Sequence, residues 1–326
     1  MKVTVVIPNY NGFRFLKDCL DAMECQTMKE VVTVVIDNGS TDESVPFMEA
    51  NYPWVKIVRM KENTGFDHAV NEGIKLSDTP YVLLLNNDTE AEPEFVEELY
   101  KAIDASEDIF SVSSKMLNFK DRDIMDDAGD GYSIIGWQFQ RGVGRHEKYY
   151  MKPANVFSAC AGAAIYRKSV FEEIGYFDEG HFAYLEDIDV GYRAKVHGYR
   201  NVYCPTARVY HVGSGSSGSK YNDFKVSLSS RNSIYLIYKN MPLLQLIINI
   251  PALAAGFFVK WLFFVKIGFG KTYFKGIMEG IRTCGKNCRK VPFKIKHIGN
   301  YIKIEWELIC GTFVYAYELL RRKCHK

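Results

Sequence analysis

Residues 81 to 89 read Tyr81-Val82-Leu83-Leu84-Leu85-Asn86-Asn87-Asp88-Thr89, an unbroken apolar run that stops in two amides and a carboxylate. A short apolar run bounded by polar breakers is a strand covered on both faces. In an open α/β sheet, ligands dock at the carboxyl ends of such strands. Asp88 is then a carboxylate carried by a rigid element to the rim of a cleft, with Asn86 and Asn87 beside it. Such an oxygen-rich rim suits the hard divalent cations that accompany phosphates. The competing reading is a plain turn into the next helix, with Asp88 or Thr89 as its cap.

The flanking sequence repeats the pattern. Apolar strands are predicted at 3–7, 31–36, 55–58 and 81–85, and helices at 13–25, 66–76 and, with Pro93 in its first turn, 93–105. Asn38-Gly39-Ser40-Thr41 reads as a turn and helix cap. Strands alternating with helices of this length predict a mainly parallel sheet with right-handed crossovers. The strands stop at Pro8-Asn9-Tyr10, at Asp37-Asn38 and at Asn86-Asn87-Asp88. Parallel strands bring these ends to one sheet edge, the convergence a nucleotide site needs.

Residues 118–152, rich in Asp, Gly and aromatics, are expected to be irregular and to cover the sheet edge. A second block follows, with a strand near 159–166, helices near 169–174 and 185–197, and strand-like stretches at 201–204 and 207–210. The segment Gly213 to Ser219 is a flexible loop by composition.

The composition, 47% hydrophobic and 25% charged, is that of a folded protein and excludes wholesale disorder. The net charge of +2 conceals an asymmetry: residues 241–326 carry 15 Lys and Arg against 4 Asp and Glu. A division follows into a body, 1–240, and a basic, aromatic helical region, 241–326. Basic residues interleaved with aromatics suit an anionic surface, and a lipid surface is preferred over nucleic acid. Residues 243–259 are uncharged, but Gln245, Asn249 and Pro251 favour an in-plane or re-entrant contact over a span. The alternative is a helix pair packed on the body. The eight cysteines lack zinc-site spacing, so free thiols in a reducing compartment are expected. The first residues, Met1 to Pro8, read as a strand without a leader.

A second group of chemically useful residues is Tyr184-Leu-Glu-Asp-Ile-Asp-Val-Gly-Tyr-Arg193. On a helix, Asp189 and Arg193 are four apart and form an ion pair. That leaves Glu186 and Asp187 at the helix start, either as partners of the helix dipole or with one of them as a general base. His211 closes a strand just before the Gly/Ser loop, where a metal ligand beside a closing loop would stand.

Taken in order, these residues resemble family 2 inverting glycosyltransferases, and from Ala161-Gly162-Ala163 onward their rhamnosyltransferase-like branch. The resemblance runs through Pro8-Asn9-Tyr10-Asn11-Gly12, Gln26-Thr27, Ile36 to Asp42, Asn63-Thr64-Gly65-Phe66 and Leu84 to Thr89. It continues through Gly175 to Asp178, Tyr184 to Asp189, Tyr210-His211 and Arg231-Asn232, covering residues 1 to about 240. It implies an A-type glycosyltransferase fold, a Rossmann-like sheet flanked by helices. It also implies a nucleotide-sugar donor held by Pro8, Asn9, Tyr10, Asp37, Asn63, Gly65, Asn86 and Asn87. A divalent cation, Mg or Mn, falls to Asp88 and His211, and the catalytic base to Asp187 with Glu186 beside it. Arg231 is a possible contact to donor or acceptor; Asp67 and His68, standing where the family often has small residues, either touch the donor sugar or cap the helix.

The implied reaction moves a sugar, rhamnose from dTDP-rhamnose or else a UDP-activated sugar, to a saccharide on a polyprenyl diphosphate carrier. Cell-surface polysaccharide synthesis on the cytoplasmic face of the membrane is the implied setting. Asn86 stands where the family's Asp-x-Asp element begins, leaving the metal site one carboxylate. A dinucleotide-dependent oxidoreductase is a poor rival, since the first strand lacks Gly-x-Gly-x-x-Gly. A nucleotidyltransferase would carry a Gly-rich basic loop there. An inactive membrane scaffold is the non-enzymatic rival, disfavoured by the joint presence of Asp88, Asp187 and His211.

Overall fold

The computed structural model describes residues 1–213 and 221–324. Its first half runs β1 (Val3–Asn9), α1 (Phe13–Glu24), β2 (Val31–Asp37), α2 (Ser44–Asn51), β3 (Lys56–Arg59), α3 (Phe66–Leu76), β4 (Tyr81–Leu85), β5 (Thr89–Ala91), α4 (Phe95–Asp104) and β6 (Ile109–Asn118). Short strands follow, β7 (Met125–Asp127), β8 (Asp130–Tyr132), β9 (Gln138–Gln140) and β10 (Ala154–Val156), then β11 (Ala163–Arg167), α5 (Lys168–Ile174), α6 (Glu186–His197) and β12 (Arg200–His211). Four helices complete the chain: α7 (Asp223–Asn240), α8 (Leu243–Lys266), α9 (Gly270–Asn287) and α10 (Ile298–Cys324).

The main sheet has the order β10-β12-β6-β11-β4-β1-β2-β3. β1 pairs parallel with β2 and β4, and β2 with β3. β11 runs antiparallel to both β4 and β6, so β6 points the same way as β4, and β12 is parallel to β6. The sheet is therefore mixed, with β1, β2, β3, β4, β6 and β12 sharing one direction. Their carboxyl ends, carrying Asn9, Asp37, Asn86 and His211, lie on one edge, as the strand pattern predicted for the first three.

The apolar run of β4 is explained by burial on both faces. Tyr81, Leu83 and Leu85 join Val3, Val5 and Ile7 in a core under α1, α2 and α4. Val82 and Leu84 join Val6 in a second core under α3, α5 and α6. Continuous hydrophobicity is the signature of a strand that has no solvent side.

Several boundaries differ from the sequence expectation. The strand expected at 159–166 begins only at Ala163 and runs against its neighbours, because Cys160 to Gly162 are used to approach the end of β4, where Asn86 N–H donates to Gly162 O at 2.8 Å. The two strand-like stretches at 201–204 and 207–210 are one strand with an irregularity between Tyr203 and Arg208. Pro93 precedes the first turn of α4, whose N-cap is Glu94. Asn38 does not cap α2; Asp42 Oδ1 accepts from Ser44 N at 3.1 Å instead. The expected Gly/Ser loop lies outside the described residues apart from Gly213.

The C-terminal helices are both docked and exposed. α9 lies along α7, with Gly276 and Gly280 allowing close approach to Ser230 and Ile234. α10 covers α6 and β8 through Tyr301, Ile304 and Leu308. On α8, Asn249, Leu253, Gly256 and Phe264 face the protein, while Leu244, Ile248, Phe258 and Leu262 are exposed. Trp137 Nε1 donates to Gly256 O at 3.1 Å, and Gln245 and Asn249 both donate to Glu305 on α10. The sequence alternatives of a packed helix pair and an amphipathic surface thus describe two faces of the same helices.

Candidate active site

At the end of β1 a ladder of side chains crosses the sheet edge. Asn87 Nδ2 donates to Asn9 Oδ1 at 2.7 Å, and Asn9 Nδ2 donates to Asp37 Oδ1 at 3.0 Å. Asp37 Oδ2 accepts from Ser40 N at 3.1 Å. Three of the candidate nucleotide residues are thus buried partners of one another, and their first job is to fix the relative positions of three strand ends. Gly12 leaves the room for this: a Cβ there would lie 2.0 Å from Asn87 Nδ2. Gly12→Ala is expected to break the ladder and weaken nucleoside diphosphate binding by on the order of tenfold, read by calorimetry, since displaced buried amides lose partners.

Tyr10 is different. The residue is 44% exposed on a loop held from both sides, which leaves it open to stacking on a base. Asn11 occupies the left-handed region at φ 49° and its Oδ1 accepts from Thr41 N at 2.8 Å, while Phe13 N donates to Asp42 Oδ2. Asn63 and Gly65 are joined to this edge through Asn38, whose Nδ2 donates to Asn63 Oδ1 and to Gly65 O. Gly65, at φ 92°, also meets the loop before α6: a Cβ would sit 2.6 Å from Phe182 O. Pro8, within β1, is partly exposed beside Asn9, and so is Asn86 beyond β4.

Asp88 and His211, 123 positions apart in sequence, are brought together by backbone pairing. β5 is antiparallel to β12 with Thr89 opposite His211, and Val212 N donates to Asp88 O at 3.0 Å. His211 Nε2 lies 3.3 Å from Asp88 Oδ1, and Nδ1 lies 2.6 Å from Asp126 Oδ2. Burial opposes charge on this imidazole, but Asp126 and Asp88 outweigh it and push its pKa up to about 10. One carboxylate oxygen and one imidazole nitrogen aimed at the same space are donors that suit Mn or Mg when phosphate oxygens complete the shell.

The helix α6 starts at Glu186, after a loop in which Phe182, Tyr184 and Leu185 all have positive φ. Asn232 from α7 clamps that loop by donating to the carbonyls of His181, Ala183 and Tyr184. Burial raises the Asp187 carboxyl, while Asp130 and the N–H groups of Ile188 and Ala161 favour its charged form and pull it back. Burial and Asp187 push Glu186 up to about 8. A carboxyl that holds its proton at neutral pH cannot take another, which leaves Asp187 as the base candidate of the two.

The expected Asp189–Arg193 pair is present, with Arg193 Nε and Nη2 on Asp189 Oδ2 at 3.1 and 2.8 Å. Lys239 adds a contact at 2.9 Å and Asn240 one at 2.7 Å, so Asp189 is the buried anchor between α6 and α7. Asp189→Ala is expected to cost about 3–5 kcal/mol, because the buried Arg193 loses its carboxylate, while Lys239 keeps Asp178 at 2.6 Å. Urea denaturation measures this.

The residues expected as possible donor or acceptor contacts are held as follows. Arg231 donates to the carbonyls of Gly180 and His181 and lies over the Tyr235 ring, so it secures the same loop as Asn232. His68 pairs with Glu179 at 2.8 Å. Asp67 is fully buried near Glu186, with neither carboxyl oxygen partnered, and burial and Glu186 raise its pKa well above the usual range.

The sequence reading missed Asp126, Asp127 and Asp130. The Asp127 and Asp130 carboxyls and the Cys160 thiol come within 4.8 Å of one another. Asp130 lies close enough to Asp187 for each carboxyl to influence the other's charge. Burial, with the charges of Asp127 and Asp187 adding to it, pushes the Asp130 carboxyl well above the usual range. The signal was the run Asp126-Asp127-Ala128-Gly129-Asp130, too acidic for a segment that merely covers an edge.

The sequence profile of Glycosyl transferase family 2 matches residues 4–175. The chain belongs to that family, and its relatives place it in the rhamnosyltransferase-like type. An N-acetylglucosaminyl-diphospho-decaprenol L-rhamnosyltransferase of Mycobacterium tuberculosis is 25% identical over 237 residues, covering 66% of this chain and 77% of that one. The O-antigen chain rhamnosyltransferase RfbN of Salmonella typhimurium is 29% identical over 216 residues, 65% of this chain and 66% of that one. Glycosyltransferase GlyA of Streptococcus pneumoniae is 37% identical over 106 residues, 31% of this chain and only 15% of the relative's length. Among solved structures, S. aureus TarS 1-349 in complex with UDP-GlcNAc superposes at a TM-score of 0.59 with 17% identity, over 87% of this chain and 82% of that one. GalNAc-T7 with UDP, GalNAc and Mn2+ superposes at 0.60 with 18% identity, over 73% and 47%. The protein is a glycosyltransferase, and these neighbours share its fold.

Proposed function

We propose that this glycosyltransferase is an inverting, cation-assisted enzyme that transfers rhamnose from dTDP-rhamnose to a saccharide on a polyprenyl diphosphate carrier. The observation that carries this is the meeting, on one sheet edge, of the Asn87–Asn9–Asp37 ladder with the Asp88–His211 pair. The two rhamnosyltransferase relatives support the sugar, and the decaprenol-linked substrate in the name of one supports the lipid-linked acceptor. UDP in the two structural neighbours keeps a UDP-sugar as the second reading of the donor.

In this reading Tyr10, Pro8 and Asp37 meet the base, and Asn86 and Asn87 approach the ribose. Asp88 and His211 Nε2 would hold Mg or Mn, which when bound neutralises the charge developing on the leaving diphosphate. Asp187 takes the proton from the attacking acceptor hydroxyl. With the hydroxyl attacking opposite the leaving diphosphate and no protein nucleophile, the sugar carbon inverts. Calorimetric titration of dTDP and UDP, with and without Mn, tests this. Metal-dependent binding of dTDP over UDP supports it, the reverse preference selects the UDP-sugar donor, and binding of neither supports an inactive scaffold.

Residues 241–326 form the membrane-facing part, at the cytoplasmic side. α8 is 24 residues long and apolar enough to cross a bilayer, with 17% of its most apolar window buried. Because one face is tied to Trp137 and Glu305, the in-plane arrangement fits it better than a span. Flotation with vesicles containing anionic lipid is expected to carry the protein, and replacing Leu244, Ile248, Phe258 and Leu262 by Glu to abolish it. Retention of that variant on vesicles would remove α8 from the contact.

A further inference from the structure

His211 has both ring nitrogens facing carboxylates, and the second carboxylate, Asp126, comes from a strand the sequence gives no reason to connect with it. Asp126 Oδ2 is 2.6 Å from Nδ1. Its placement comes from an irregular pairing. Met125 is opposite Leu117 and Asp127 opposite Met116, so two steps along β7 match one along β6. Asp126 is the extra residue of a β-bulge. Bulges take a side chain out of the regular alternation and re-aim it, which is why they gather beside active sites.

The bulge is firmly held. Met125 N donates to Arg145 O at 2.7 Å, Gly144 N to Met125 O at 2.8 Å and Ala128 N to Arg141 O at 2.9 Å. Asp127, the next residue, is fully buried on the way to Asp130. Asp126 is 22% exposed and points to the imidazole.

An ionised carboxylate only accepts hydrogen bonds, so the Nδ1 facing Asp126 must carry hydrogen. The tighter contact holds Nδ1, so a cation enters on the other side, between Nε2 and Asp88 Oδ1 (3.3 Å apart), and takes the place of the Nε2 hydrogen. Histidines that ligate metals ordinarily donate their other N–H to a carboxylate, which sets ring orientation and tautomer. We propose that Asp126 is a positioning residue of the cation site, holding the His211 ring so that Nε2 and Asp88 Oδ1 present a paired donor set to Mn or Mg. The proposal rests on the reading of Asp88 and His211 as the metal pair.

The test is Mn(II) binding to the full chain, with and without UDP or dTDP, followed by electron paramagnetic resonance and by calorimetry. Asp126→Ala is expected to weaken Mn(II) binding by about 10- to 100-fold. Spin-echo modulation from a coordinated imidazole nitrogen should fade in parallel, while metal-free thermal stability stays near that of the parent. Asp126→Asn should recover most of the affinity, because its amide oxygen still accepts from Nδ1. Should the Ala variant not fold, Asp126→Ser, whose hydroxyl stops short of the ring, gives the same comparison. Parent-like Mn(II) affinity in Asp126→Ala, with His211→Ala impaired, overturns the proposal and leaves the metal pair standing. If His211→Ala and Asp88→Ala also bind like the parent, the metal pair itself is wrong, and the proposal falls with it.

Discussion

Asp187→Asn is expected to lower kcat by about 10²- to 10⁴-fold, the usual contribution of a positioned general base. Nucleoside diphosphate affinity should stay within about twofold, because the Asn87–Asn9–Asp37 ladder is untouched. The substitution is close to isosteric, so a loss of turnover reports the proton acceptor rather than collapse of the site. The parent enzyme supplies a second check. Burial raises the Asp187 carboxyl above its ordinary range. The base is protonated below that value, so the acidic limb of the rate profile should lie above the usual aspartate pKa, with activity falling as pH drops through it. Near-normal turnover by Asp187→Asn would falsify the assignment.

Asp88→Ala and His211→Ala are each expected to weaken Mn-dependent nucleoside diphosphate binding by on the order of 100-fold, at least as much as loss of an outer partner of a metal ligand. Binding measured without metal should change far less. The difference between the two conditions is the informative quantity, since a general disturbance of the sheet edge would lower both. Equal losses with and without metal would mean that these residues support the nucleotide pocket and hold no cation. Removing the metal with a chelator should likewise reduce the parent protein to the level of the variants.

Much of the architecture could be read from the chain alone, for a reason visible in β4. A strand buried on both faces leaves no polar position, so Tyr81 to Leu85 has few alternatives, and the polar residues after Leu85 mark where the sheet stops. The same logic located Asp37 and Asn9. The helix α3 was equally legible, because Ala69, Val70 and Ile74 recur on one face. Harder to read were β5 and β7, three residues each, which carry no periodicity long enough to recognise. Arg231 illustrates another limit. Its guanidinium closes on backbone carbonyls that appear only when α7 meets the loop before α6, a contact its motif does not show.

Local sequence dictated β1, β2 and β4, their polar ends and the ion pair of Asp189 with Arg193, since each depends on spacing along one element. The pairing of Asp88 with His211, the bulge that turns Asp126 toward it and the closeness of Asp130 to Asp187 depend on contacts between elements far apart in the chain. Those contacts are set by strand order and register, which a hydrophobic pattern constrains in period but not in partner.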